Sequence, residues 1–168
     1  MSNLKQVGLA TRMFSNDHQD KFPWAVPKSR GGSLEYAGST EVFRHFFAIS
    51  NELTSPKVLC CPRDLERPKQ SEWNRVSNSN VSYFVGLDAD ESQPQAILSG
   101  DRSLSTTSRP WSGVMIVTKK SPPRVLPFLH NNRIIIGFGD GSVQQMTESE
   151  VRNWLLHTNN PPVRLALP

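Results

Sequence analysis

Apolar residues near the start of the chain recur at helical spacing. In NLKQVGLATRMF, Leu4, Val7, Ala10 and Phe14 fall on one face, and Leu9 and Met13 widen it. The pattern predicts a helix already under way at residue 3, with no capping box before it. An uncapped start is expected where a helix continues upstream, so the chain reads as part of a longer protein lacking an earlier helical segment. Asn16 and Asp17 favour a turn, and Pro23 pushes Phe22 out of the helical region. A second amphipathic helix is predicted over STEVFRHFFAISNEL, capped by Ser39 or Thr40, with Val42, Phe46, Ile49 and Leu53 on its buried face. His45 is expected to stand partly exposed between Arg44 and Phe46.

From SPKVLCCP onward, short apolar runs alternate with Pro, Asn, Ser and Gly, the texture of strands joined by long loops. VSYFVGL, AILSGD and SGVMIVT are the main strand candidates. Lys57 to Cys61 reads as a shorter strand that points one sulfur inward and the other outward. RIIIGFGDGSVQQM predicts a hairpin in which Asp140-Gly141 forms a two-residue type I′ turn, both residues at positive φ. Thr147 and Glu150 have capping-box spacing, and Met146 and Val151 the spacing of a hydrophobic staple. A third helix is therefore expected from about Glu148, ending at Asn159-Asn160-Pro161-Pro162. The VRLALP tail is open between an edge strand and a surface segment. The expected architecture is α+β over residues 1–168: an N-terminal helix packed on an antiparallel sheet, with additional helices and long loops.

Composition narrows the function. With 36% apolar residues and 13 prolines in 168, the chain has enough for one core and much loop. No apolar run approaches the ~18 residues of a membrane span. The net charge of +4 is spread from Lys5 to Arg164, with Lys119-Lys120 the only tight basic pair, which argues against nucleic acid. The two cysteines, Cys60 and Cys61, are neighbours. Their Cα atoms are ~3.8 Å apart, too close for ordinary disulfide geometry. No second Cys/His cluster stands at ligand spacing, so no zinc site and no cofactor is expected.

His130 and Asp140 invite a catalytic pairing. Ten extended steps of ~3.3 Å would instead hold them about 33 Å apart, and a base and its orienter need contact. Gly-x-Ser-x-Gly and P-loop patterns are absent. Asp88, Asp90 and Glu91 open like a calcium loop, but Gln93 stands where such a loop needs glycine, leaving a solvated acidic turn. Gly100-Asp101-Arg102, directly after a strand, suits a bidentate ion pair that orders a loop. No catalytic residue is assigned. Trp24, Trp73 and Trp111, expected to be exposed in loops, are the candidates for a binding face.

Several of these pieces occur in a telling order. NLKQVGLATRMFSNDHQDKFPW is followed by Cys61-Pro62-x-Asp64, then by NVSYFVGLDADESQPQAILSGDRSL with Gly100, Asp101 and Arg102, and then by His130 with nine residues before Asp140-Gly141. This order resembles the bacterial type II secretion pseudopilin-like proteins, in the branch named for its His-x9-Asp-Gly motif, over roughly residues 3 to 145. The resemblance implies a pilin-like domain on the periplasmic side, a prepilin leader, and about twenty apolar residues that anchor the subunit in the inner membrane and later form a filament core. It implies other pseudopilin subunits or secretion-system components as partners, and structural roles for the motif residues. Some related major pseudopilins bind calcium in a C-terminal loop; those ligands do not map onto this chain. The leading expectation is a noncatalytic structural subunit. A periplasmic glycan- or substrate-binding module using the three tryptophans is the alternative, and a hydrolase built on His130 the third reading.

Overall fold

The computed structural model describes residues 1–157 and 162–168. Helix α1 (Ser2–Asp17) is followed by a long run of turns and 3-10 segments that includes the short helix α2 (Phe43–Phe47). A six-stranded antiparallel sheet comes next: β1 (Tyr83–Gly86), β2 (Ile97–Asp101), β4 (Gly113–Val117), β6 (Arg133–Phe138), β7 (Val143–Thr147) and β8 (Val163–Leu167), in the order β4-β8-β1-β2-β6-β7. Strands β3 (Leu104–Ser105) and β5 (Arg124–Val125) form a separate ribbon, and α3 (Glu148–His157) follows β7.

The sheet separates two cores. On one face α1 packs Leu4, Val7, Ala10 and Phe14 with Val85, Leu98 and Ile135; on the other, Val151 and Leu155 of α3 join Phe84, Ile134, Ile136 and Leu165. Strand β6 is thus covered on both sides, which explains why it reads RIIIGF, a continuous apolar run in place of an alternation. The α+β arrangement, with the N-terminal helix on an antiparallel sheet, matches the expectation from the sequence. None of the helices among the described residues is long and apolar enough to cross a membrane.

Four local expectations are corrected. The second helix is much shorter than its apolar face: Val42, Phe46, Ile49 and Leu53 are all buried, but only Phe43–Phe47 is α-helical. Neither Ser39 nor Thr40 caps its first amide: Ser39 Oγ accepts from the Glu41 amide, and the Phe43 amide donates to Asn78 Oδ1 at 3.1 Å. His45 is buried on this helix, not partly exposed, and its Nδ1 lies 2.8 Å from Ser33 Oγ. Lys57 to Cys61 is no strand: Pro56–Leu59 is a 3-10 turn capped by Ser55, and both sulfurs are buried. Ser-Pro is a helix-start signature, and it overrides the short apolar run.

The tail is neither an edge nor a surface segment. Strand β8 runs inside the sheet between β4 and β1, with Val163, Leu165 and Leu167 in one core and Ala166 in the other. Pro162 precedes the strand and Pro168 follows it, so neither costs a ladder bond. The expected end of the third helix lies, apart from Pro162, outside the described residues. Its start is as predicted: the Thr147 amide donates to Glu150 Oε2 at 2.6 Å, and the Glu150 amide to Thr147 Oγ1 at 3.3 Å.

The hairpin of β6 and β7 is present, but its turn differs. The Phe138 amide donates to the Ser142 carbonyl and the Gly141 amide to the Phe138 carbonyl, both at 2.9 Å. Only Gly141 has positive φ, at 84°. This is a three-residue loop ending in a glycine bulge, not a type I′ pair. Two consecutive positive φ values occur instead at Asn131 (51°) and Asn132 (62°), where the Arg133 amide donates to the His130 carbonyl at 3.2 Å. Asparagine tolerates this conformation, so the Asn pair turns the chain tightly into β6.

Candidate functional site

That Asn-Asn turn delivers His130 to one end of the sheet, on the α1 face. Two other segments meet it there: Cys61, just after the Pro56–Leu59 turn, and Asp101, the last residue of β2. His130 Nε2 lies 3.5 Å from Cys61 Sγ and 3.4 Å from Asp101 Oδ2. The ligand-type atoms of all three residues lie within 4.8 Å of one another. Cys61 and Asp101 are buried, while the His130 side chain keeps 12% of its exposure. A cleft of about 240 Å³ opens over the group, walled by Asn3 and Leu4 from the first turn of α1, by Pro62, and by Tyr83.

Backbone packing dictates this convergence. The Ser82 amide donates to the Leu59 carbonyl and the Arg102 amide to the Ser82 carbonyl, which ties the cysteine turn, β1 and β2 together. Gly100 lets β2 lie flush: a Cβ there would come within 2.7 Å of the Phe84 ring and 3.0 Å of the Ile135 carbonyl oxygen. Asp101 Oδ2 accepts the Ile135 amide at 2.8 Å. Among the described residues, Asp101 Oδ1 is buried with no hydrogen-bond partner.

Directly beside the group, Arg102 makes a bidentate pair, with Asp64 and not with its neighbour Asp101. Its Nε donates to Asp64 Oδ2 at 2.7 Å and its Nη2 to Asp64 Oδ1 at 2.9 Å. Both side chains are nearly inaccessible, at 6% and 1%. Nη2 also reaches the exposed Glu66, and the guanidinium lies 4.7 Å from the Phe128 ring centroid. Burial is the largest influence and works to raise the Asp64 carboxyl, but the hydrogen bonds and charge of Arg102, together with Ser82 and the nearby Arg67, hold the group below the usual carboxylate range. Cys60 points away, donating to the Arg67 carbonyl at 3.0 Å.

The three convergent side chains sit in the opposite regime. Burial pushes the Asp101 carboxyl up to about 7, raises the Cys61 thiol and lowers the His130 imidazole, so each is biased toward its neutral form. A thiolate-imidazolium nucleophile would need the reverse bias for cysteine and histidine. The geometry is also wrong for a relay. In a triad the base uses one ring nitrogen for the nucleophile and the other for the acid. Here Nε2 alone faces both Cys61 and Asp101. Three donor types aimed at one point suit ligation better than nucleophilic attack.

Asp140 and Gly141 do not belong to this group. They lie beyond the other end of β6, where the Asp140 carbonyl accepts Arg12 Nη1 at 2.8 Å and its carboxylate accepts the Ser142 amide at 2.8 Å. His130 and Asp140 therefore share no contact, as the extended spacing predicts. The acid that does meet His130 is Asp101, and no local pattern joins it to His130 or to Cys61, which itself lies 69 residues from His130 in the chain. Asn3 and Tyr83 were also missed; nothing distinguishes them from other helix and strand residues before the fold is known. The tryptophans do not form the expected face. Trp24 is buried, not exposed, and its Nε1 donates to the Ala89 carbonyl. Trp73 is half-buried edge-on against Phe47, and Trp111 is exposed. A second cleft of about 370 Å³, between Arg124 and Glu148, contains no tryptophan either. The acidic turn is tied down: Asp88 pairs with Arg164, Glu91 with Arg12, and Asp90 with Ser92. The chain matches no protein-family model, no curated protein and no solved structure.

Proposed function

We propose that this chain is the globular part of a noncatalytic pseudopilin-like subunit, with a pilin-like domain whose N-terminal helix continues upstream into the membrane anchor and filament core. The observation that carries this reading is that α1 is held at two levels, by the cysteine turn at the His130 end of β6 and by the Asp140-Gly141 turn at the other end. At the His130 end, the first turn of α1 walls the cleft over Cys61 and Asp101, and Asn3 Nδ2 donates to the Cys60 carbonyl at 3.0 Å. At the other end, Arg12 donates to the Asp140 carbonyl, and a Cβ on Gly8 would lie 3.8 Å from Gly141 Cα. The His-x9-Asp-Gly spacing is then the length of sheet against which the helix is laid. Such a clamp suits a helix that must transmit position from an assembled core to a projecting domain.

A second feature supports the same reading. Leu9 and Met13, one turn apart on the outward side of α1, are 61% and 47% exposed. In this reading they contact neighbouring subunits or other secretion-system components, on the periplasmic side of the inner membrane. Mass spectrometry of the mature N-terminus in native membranes tests the proposal. A processed chain in which about twenty apolar residues precede the α1 segment is expected. A mature chain that begins at Met1 would contradict it.

A further inference from the structure

The geometry points to a binding site for one divalent transition-metal ion of the zinc type, held by Cys61 Sγ, Asp101 and His130 Nε2, with its remaining coordination position facing the cleft beside Asn3 and Tyr83. The inference stands on side-chain geometry and does not depend on the pseudopilin reading.

Spacing is the first argument. Zinc takes thiolate sulfur at ~2.3 Å and nitrogen or carboxylate oxygen at ~2.0–2.1 Å, so in a tetrahedral shell the ligand atoms stand about 3.5 Å (S to N) and about 3.4 Å (N to O) apart. The observed separations from His130 Nε2 are 3.5 Å to Cys61 Sγ and 3.4 Å to Asp101 Oδ2. A thiol donating to imidazole would give the sulfur distance too, but it would not explain why the same nitrogen faces a carboxylate oxygen.

The support around the ligands is the second argument. Asp101 is wholly buried, yet its Oδ1 has no hydrogen-bond partner among the described residues, a costly state for a carboxyl group. A cation bound by both carboxylate oxygens would supply that partner. The carboxylate is held in place by the Ile135 amide on Oδ2, the type of outer contact that orients a metal ligand. Three segments distant in sequence supply one ligand each, so an ion would staple the cysteine turn, the end of β2 and the entry to β6 beneath the first turn of α1. Sulfur and imidazole nitrogen select zinc, cobalt or copper over calcium and magnesium, which take oxygen shells.

Titration of the reduced, chelator-treated chain with cobalt(II), followed by competition with zinc, tests the site. One cobalt per chain is expected, with a thiolate-to-cobalt charge-transfer band and the visible spectrum of tetrahedral coordination. Cys61→Ser should abolish the charge-transfer band, and His130→Gln or Asp101→Asn should weaken binding by about 100-fold or more. Cys60→Ser, whose sulfur faces the Arg67 carbonyl, should keep the band. A folded wild-type chain that gives no thiolate band overturns the proposal, as does a band lost with Cys60→Ser and kept with Cys61→Ser. Should the Cys61, Asp101 or His130 variants fail to fold, X-ray absorption at the zinc edge of the wild-type protein decides: one sulfur and nitrogen or oxygen neighbours support the site, whereas a shell without sulfur refutes it.

Discussion

The two ends of β6 solve different problems with different materials. At the Asp140-Gly141 end, the turn is made by backbone: Gly141 supplies the positive φ, the Asp140 side chain caps the Ser142 amide in solvent, and the grip on α1 is one carbonyl accepting from Arg12. At the His130 end, the grip is made among buried side chains: Cys61 and Asp101 line the cleft under the first turn of the helix, and the Arg102–Asp64 pair ties the segment after Cys61 to the end of β2. A turn of the first kind tolerates replacement because water stands in for lost bonds. A cluster of the second kind does not, because a group left unpaired in a buried site keeps its desolvation cost.

The sharpest way to break this contrast is to remove one member of the buried pair. Arg102→Met leaves Asp64 buried without its cation, and a loss of about 3–5 kcal/mol in urea unfolding at neutral pH is expected. A loss below about 1 kcal/mol would place this pair with ordinary surface bridges.

Acid should sharpen the contrast further, once His45 is accounted for. Burial lowers the His45 pKa from 6.5 to about 4. The unfolded chain therefore binds this proton first, giving His45 its own acid limb of about 3 kcal/mol lost between about pH 6.5 and 4, against an opposite contribution from Asp101, whose buried carboxyl binds its proton from about pH 7 downward. His45→Gln should flatten that limb in pH-dependent unfolding. The Asp64 contribution, from a carboxyl held low in the fold, is present above the unfolded carboxylate pKa and is lost only at lower pH.

Smaller effects separate the two ends residue by residue. Gly100→Val drives a side chain into the Phe84 ring beside Asp101, and about 1–3 kcal/mol of destabilisation is expected by thermal unfolding. Gly141→Ala meets no close atom and costs only the left-handed backbone, about 1–2 kcal/mol by the same measurement.

The same contrast explains what could be read in advance. The Asp-Gly hairpin, the Thr147–Glu150 capping box and the α1 face are local patterns, decided by residues a few positions apart, and each appears in the fold where the sequence puts it. Even there the turn type was misassigned, because Asn131-Asn132 has the same left-handed tolerance as Asp-Gly and lacks the glycine that marks it. The site was legible only as separate motifs. Cys61, Asp101 and His130 each stood out, and the Gly100-Asp101-Arg102 run suggested a bidentate pair without naming Asp64 as its acid, but their meeting depends on strand order. Nothing local says that β2 lies between β1 and β6, or that the tail enters the sheet as β8. His45 was misplaced for a related reason: its partner Ser33 comes from a loop that no helical periodicity describes.

The central claim is that the nine residues between His130 and Asp140 measure out a two-point clamp on α1. Native-state hydrogen exchange of the α1 amides in His130→Ala and Arg12→Ala tests it most directly. Removing His130 is expected to lose protection chiefly at Lys5 to Leu9, and removing Arg12 chiefly at Met13 to Asp17. Unchanged α1 protection in both variants, or an equal loss along the whole helix, would contradict the clamp.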